Sequence, residues 1–287
     1  MQILINQNLN KFLKNNIIIS EQMLSSSFGS ICKKITLDNN KKYVVKITNK
    51  LIDDFDSVYF EGKSLDFLNY RFPDLFPKVF KIKPGLIIIE YIDHNNKKKS
   101  NSEKELAIKL ANIHLIKNSK FGFIFDSPIG GLRQPNELED NWVNFFLKKR
   151  LNIIFEIINY NNPMPLELNK KIEKIFNKIA DIIPNKPKAS LIHGDLWEGN
   201  ILFDDGKLVG LIDPGVHYAH NEMEIAYLKW FNYISENFYN YYSDIIPINK
   251  EFFEYSEIYE LYYCLLNIHL WSRKYIDNAM FLVNKYC

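Results

Sequence analysis

The sequence is poor in cysteine, balanced in charge and short of any long apolar run, and each shortage removes a class of protein. Its three cysteines, Cys32, Cys264 and Cys287, are odd in number, far apart, and form no C-x-x-C pair. That pattern excludes a disulfide scaffold or a zinc ribbon and fits reduced thiols in a cytoplasmic protein. No apolar stretch approaches the ~18 residues that span a bilayer. The opening Met1-Gln2-Ile3-Leu4-Ile5-Asn6 has no basic segment leading into an apolar one, so neither a membrane anchor nor a secretory leader is expected. Thirty-six Lys and Arg against 34 Asp and Glu leave a formal charge of +2. The basic run Lys97-Lys98-Lys99 sits among Asn and Ser and reads as a solvated loop, so nucleic acid is not an expected partner. No internal repeat is visible. What the chain has in quantity is apolar: 47% hydrophobic residues in 287 supply a core for one large domain or two smaller ones. The wealth of Asn, Ile, Lys, Phe and Tyr fits an AT-rich coding bias, so single Tyr and Phe residues carry no functional weight.

The most informative stretch runs from His193 to Asp213. His193-Gly-Asp-Leu-Trp-Glu-Gly-Asn200 holds Asp195 and Asn200 at D-x-x-x-x-N spacing, and Asp213 follows the apolar run Leu208-Val209-Gly210-Leu211-Ile212. Apolar residues flank the loop at Leu191-Ile192 and Ile201-Leu202-Phe203, and Asp204-Asp205-Gly206 is a hairpin signal. Read as strand, loop, strand, turn, strand, the segment puts Asp195 and Asn200 on a loop and Asp213 at a strand end. Phosphoryl transfer uses that set: one Asp meets the attacking hydroxyl, while an Asn and a later Asp hold magnesium against the phosphates. Hard oxygen donors such as Asn200 and Asp213 suit Mg2+.

Upstream, the order of elements matches a nucleotide-binding lobe over residues 1–93. Ser25 to Ser30 is a small-residue turn, a strand pattern continues to Leu37, and Asp38-Asn39-Asn40 turns the chain into Tyr43-Val44-Val45-Lys46-Ile47. A helix carrying Glu61, Leu65 and Leu68 follows, then a buried strand from Gly85 to Ile92. Lys46 is placed to meet nucleotide phosphates and Glu61 to orient it. The phosphate turn has a single glycine, Gly29, with Ser27 and its neighbours in place of others, so backbone N–H groups and serine hydroxyls must do the binding. Glu90, Tyr91 and Ile92 form the expected adenine-side hinge. A polar stretch from Asp93 to Ser102 marks the lobe boundary. Residues 94–287 then form a larger, mainly helical lobe. A helix begins at Ser102 with a capping box to Glu105 and an apolar face of Leu106, Leu110 and Ile113. A Gly/Pro-containing loop from Phe121 to Asn136 comes next. Helices are expected over 141–158, 166–183 and 252–270. His114 reads as a satisfied structural histidine, and His193 as a brace for the loop. The order of elements reads as an α+β, two-lobed fold, with a small antiparallel-sheet lobe of kinase-type order before the helical one.

Four stretches resemble the fructosamine kinase family, within the aminoglycoside- and choline-kinase-like phosphotransferases. They are His193 to Asn200 (HGDLWxGN), Ile212 to Ala226 (IDPxxxxxHxExE[IL]A), Phe121-Gly-Phe through Gln134-Pro-Asn136 to Leu151, and the C-terminal Leu261 to Asn267 with Tyr275. The resemblance implies that the whole fold is protein-kinase-like, with ATP and Mg2+ as cofactors. The implied reaction is phosphorylation of a ketoamine hydroxyl, favouring the sugar 3-OH, whose unstable product releases its amine in protein deglycation. It implies Asp195 as catalytic base and Trp197, Glu222 and Gln134 near the substrate. Serine in place of a family Gly or Cys at position 30 leaves any thiol regulation open. Two rival readings stand beside it. One is a small-molecule kinase of another acceptor, such as an aminoglycoside, choline or a sugar. The other is a nucleotide-binding protein without turnover. A protein kinase is disfavoured because no D-F-G or A-P-E appears. Oligomeric state, the preferred sugar and whether the amine is free or protein-bound are not legible.

Overall fold

Five strands open the chain, β1 (Ile18–Ser27), β2 (Ser30–Leu37), β3 (Lys42–Thr48), β4 (Val79–Lys83) and β5 (Leu86–Glu90), and β-branched and aromatic residues dominate β3, β4 and β5. In the computed structural model they form one antiparallel sheet in the order β1-β2-β3-β5-β4. Residues 2–48 and 50–287 are described, with side chains from residue 6 onward; Met1, where the leader reading begins, lies outside them. Alternation buries one face: Ile35, Leu37, Val45, Leu86 and Ile88 make a cluster. Leu9, Phe12 and Leu13 of α1 (Gln2–Leu13) cover it. Neither α1 nor β1 is apparent from the sequence. β1 is an edge strand whose residues are almost all exposed, so it has no apolar alternation to read.

The expected Ser25–Ser30 turn is tighter than its composition suggests. Ser25 to Ser27 belong to β1, and the turn itself is Phe28-Gly29, with φ of 50° and 78°. Two consecutive positive φ values make the two-residue hairpin whose twist suits the flanking strands, and glycine takes the second place without strain.

Contact density divides the chain into two compact units, and each is assembled from three segments. The first contains residues 1–102, 125–134 and 199–215; the second contains 103–124, 135–198 and 216–287. Hydrogen bonding explains the composition of the first. The polar stretch after Asp93 straps the hairpin of Ile201–Asp204 and Lys207–Leu211. Asn95 and Asn96 N–H groups donate to the Phe203 carbonyl at 3.2 and 2.7 Å, and Gly206 N–H donates to Lys97 O at 2.8 Å. Ser102 Oγ donates to Gly206 O at 2.9 Å, tying the start of α3 (Ser102–His114) to the same turn. The expected loop 121–136 contains a further short hairpin, Ser127–Ile129 with Leu132–Gln134.

In the second unit a three-stranded sheet pairs Ala189–Ile192 with both His217–His220 and Lys117–Asn118. The helix expected over 141–158 is continuous to Asn161 but contains a π-helical turn, Leu147–Leu151. That turn carries buried Arg150, whose guanidinium donates to Pro135 O at 2.8 Å and Asn136 Oδ1 at 2.6 Å. The long helix Phe252–Leu270 is buried on nearly every face and forms the centre of this unit.

Candidate active site

In the first unit the site begins with α2 (Ser57–Arg71). Asp56 caps it, accepting Tyr59 N–H at 2.9 Å on one oxygen and Gly85 N–H at 2.6 Å on the other. The helix lies against β5 so closely that a Cβ at Gly62 would collide with Ile87 Cγ2. Gly62→Ala is therefore expected to cost about 1–3 kcal/mol in chemical denaturation and to raise the apparent KM for ATP, because the neighbouring residue is Glu61. An unchanged KM in that variant would show that helix position does not matter to nucleotide binding.

Lys46, in the middle of β3, donates to Glu61 Oε1 at 2.7 Å and to Asp213 Oδ1 at 2.5 Å. The ion pair expected from the sequence is thus made, and Asp213 joins it. Burial by itself would push the Lys46 ammonium down, but the charges of Asp213 and Glu61 outweigh it and hold the group above the ordinary lysine range. Burial pushes the Glu61 carboxyl up to about 7, with Lys46 opposing and Asp213 adding to the rise. Lys46 therefore keeps its proton, the state a phosphate requires. Lys46→Met should raise the ATP KM by at least about tenfold, as a charge-assisted contact of 1.5–3 kcal/mol implies; equal KM values in steady-state assays would remove Lys46 from the site.

The hairpin brings the expected metal ligands to one end of a ribbon. Ile201 pairs with Leu211, and Ile212 N–H donates to Asn200 O at 3.1 Å, so Asn200 and Asp213 flank the last pair. Asp213 has a φ of 56°, a conformation unusual for a non-glycine residue and the kind of local strain that functional sites retain. One carboxylate and one amide oxygen are hard donors of the kind that fits Mg2+.

The other residues expected on the nucleotide side lie in the same unit. Gly29 O accepts from Thr48 Oγ1 at 2.8 Å, and Ser27 O accepts from Ser30 Oγ at 3.0 Å, which fixes the hairpin tip. Glu90 ends β5, its carboxylate accepting Lys78 N–H at 3.2 Å. The Tyr91 ring lies 3.9 Å beneath Lys34 Nζ, and Ile92 O meets His94 Nδ1 at 2.8 Å. Cys32 pairs with Lys46 across β2 and β3. Burial pushes its thiol up to about 12 despite that lysine, so it is a protonated core group.

In the second unit, Asp195 is half-buried in the loop after Ala189–Ile192. Its N–H donates to His193 Nδ1 at 3.3 Å, so the histidine braces the loop. Trp197 is 38% exposed, and its ring lies 6.5 Å from Phe231. The strongest local determinant is one the sequence leaves undecided. Glu224, on the helix Asn221–Trp230, accepts the N–H of His193 at 3.1 Å and of Gly194 at 2.6 Å, the two residues before Asp195. His114 Nε2 meets the same carboxylate at 3.0 Å, His114 Nδ1 meets the Tyr242 hydroxyl at 2.7 Å, and Asn221 Nδ2 donates to that hydroxyl at 2.9 Å. One assignment satisfies the chain: Nε2–H donates to Glu224 and the tyrosine hydroxyl donates to Nδ1. Burial pushes His114 down, so the ring is neutral. Burial would push Glu224 up, but the hydrogen bonds from His114 and Gly194 and the nearby histidines hold it below its ordinary value. The result is an ionised carboxylate, fully enclosed, clamping the loop that carries Asp195.

Glu222 and Gln134, expected near the substrate, are both buried and held by protein partners. Glu222 is 2% exposed; one oxygen accepts Asn249 N–H at 2.7 Å and the other accepts the Tyr255 hydroxyl. Gln134 is 3% exposed and donates to Pro128 O at 3.3 Å inside its hairpin. Both polar side chains are satisfied by the protein, which is why they are buried. The His220, Glu222 and Glu224 cluster does not converge on a metal: His220 Nδ1 meets Tyr259, and among the described residues no group of three His, Cys, Asp or Glu is arranged around an ion.

A lysine-bearing antiparallel sheet with a buried lysine–glutamate pair, an Asp/Asn loop and a hairpin ending in a second Asp define a phosphotransferase of the protein-kinase-like class. The aminoglycoside phosphotransferase APH(2'')-Ib, solved with ADP bound, shares this fold at a TM-score of 0.64 over 99% of this chain and 98% of that one, with 20% identity. The chain belongs to the fructosamine kinase family, whose model matches residues 1–287. A probable ketoamine kinase from Enterococcus faecium is 29% identical over 206 residues, 71% of this chain and 73% of the relative. The solved structure of a fructosamine-3-kinase candidate from Haemophilus somnus is 25% identical, with a TM-score of 0.84 over 98% of this chain and 99% of that one. The chain is accordingly a phosphotransferase with an alcohol group as acceptor. Among the described residues no helix is long and apolar enough to cross a membrane.

Proposed function

We propose that this protein transfers the terminal phosphoryl group of ATP to a hydroxyl of a ketoamine, such as a fructosamine or ribulosamine, in the repair of glycated amines. The observation that carries the reading is the Lys46–Glu61–Asp213 constellation, on the same unit as Asn200. In this scheme Asp195 accepts the proton of the attacking hydroxyl, Lys46 holds the phosphates, and Glu61 keeps Lys46 in place. Backbone groups of the Ser27–Gly29 turn bind phosphate oxygens, and Glu90, Tyr91 and Ile92 supply the adenine edge. Magnesium held by Asn200 and Asp213 would neutralise charge on the phosphates. Trp197, half-exposed two residues beyond Asp195, stacks on the sugar; its exposure supports this role over a core one. Residues 1–93 act as the nucleotide lobe and 94–287 as the catalytic lobe, with the hairpin 201–211 serving the former. The free cysteines support a cytoplasmic setting.

ADP release should appear with ribulose-lysine or fructose-lysine and magnesium-ATP, and not with choline or kanamycin. Turnover confined to kanamycin or choline would keep the kinase and overturn the acceptor; none with any acceptor would favour nucleotide binding without catalysis.

A further inference from the structure

The sheet that carries the catalytic loop has a second concavity at its other end. A cavity of about 560 Å³ is lined by Lys117, Lys186, Lys188, Asn118, Asn141 and Phe121. All belong to the second unit. Lys117 Nζ is tethered to Ser190 Oγ at 2.5 Å, and Ser190 is its pairing partner across the strands. The acid at the rim, Asp140, is taken by Lys120 at 3.3 Å. Among the described residues no carboxylate pairs with Lys117, Lys186 or Lys188. Three lysines thus line one space of a volume ordinary for metabolite sites.

We infer that this cavity binds a small phosphate-bearing ligand, its phosphoryl oxygens on Lys117, Lys186 and Lys188 and its remaining polar groups on Asn118, Asn141 and Ser119. Phosphate suits compact ammonium donors, while amide and hydroxyl groups suit the hydroxyls of an organic phosphate. The unbalanced charge is felt locally: burial and the charge of Lys188 both push Lys117 down. An anion would relieve that repulsion. Nothing in this site is used by the phosphoryl transfer proposed above, so the two readings stand or fall separately.

The test is isothermal titration of the full chain, with its nucleotide site filled by a magnesium complex of a non-hydrolysable ATP analogue, against inorganic phosphate and against glucose 6-phosphate. Saturable binding is expected, weakened at least about tenfold in Lys186→Met/Lys188→Met. Both residues are exposed, so this variant should keep the native melting temperature without probe. Tighter binding of glucose 6-phosphate would identify an organic phosphate as occupant; equal or tighter binding of inorganic phosphate would identify the free anion. Absence of saturation, equal affinity in the double variant, or the same heat from chloride at matched ionic strength would overturn the inference.

Discussion

Asp195→Ala should lower kcat by about 10²–10⁴-fold, the range for loss of a positioned general base, with little change in ATP KM. The side chain is half-buried on a loop whose conformation is set by other groups, namely the Glu224 carboxylate and His193. Folding should therefore survive, and circular dichroism and the melting temperature should match those of the native chain. Asp195→Asn is the sharper variant, since it keeps shape and removes only the basic oxygen. Asp195 sits in an aromatic surround, where its charge adds to burial in keeping the hydroxyls of Tyr227, Tyr262 and Tyr263 protonated. None of those tyrosines is thereby available as a substitute base near neutral pH. Full turnover by either variant would end the assignment.

Glu224→Ala should be the most damaging single change to stability. It leaves the His193 and Gly194 N–H groups and a buried imidazole without their acceptor, in a place water does not reach. Leaving a buried donor without its acceptor costs about 1–3 kcal/mol for each group, in sum a large part of the stability of a domain. Glu224→Gln carries the test, since it keeps the side-chain volume that alanine would empty. Its amide keeps the volume and one acceptor oxygen but sets an NH2 group against a backbone N–H. We expect kcat to fall while ATP KM holds, because the loop moves and the Lys46 group does not. Glu224→Gln with native kcat and native denaturation midpoint would show that the clamp is dispensable.

Legibility along this chain followed how local the cause was. The Lys46 strand, the Glu61 helix and the hairpin after Asn200 carry their own apolar periods and turn signals, and each formed as expected. β1 was hidden because an exposed edge strand buries no face. The π-helical turn at Leu147–Leu151 was hidden because one added residue does not disturb an apolar pattern enough to be seen. Glu222 and Glu224 show the limit most clearly. They stand two apart on the same helix, both acidic and both buried. One holds Asn249 and Tyr255, and the other holds the catalytic loop. Local sequence gives no reason to prefer either.

The amino-acid order alone thus determined the reaction class, because phosphoryl transfer needs particular oxygen and nitrogen atoms at short, ordered spacings on one chain. Tertiary structure decided which acid serves which partner. Asp213 reaches Lys46, and Glu224 reaches the loop amides, through approaches between segments remote in sequence. Those choices depend on burial and on the hydrogen bonds left to satisfy, and both are properties of the packed chain.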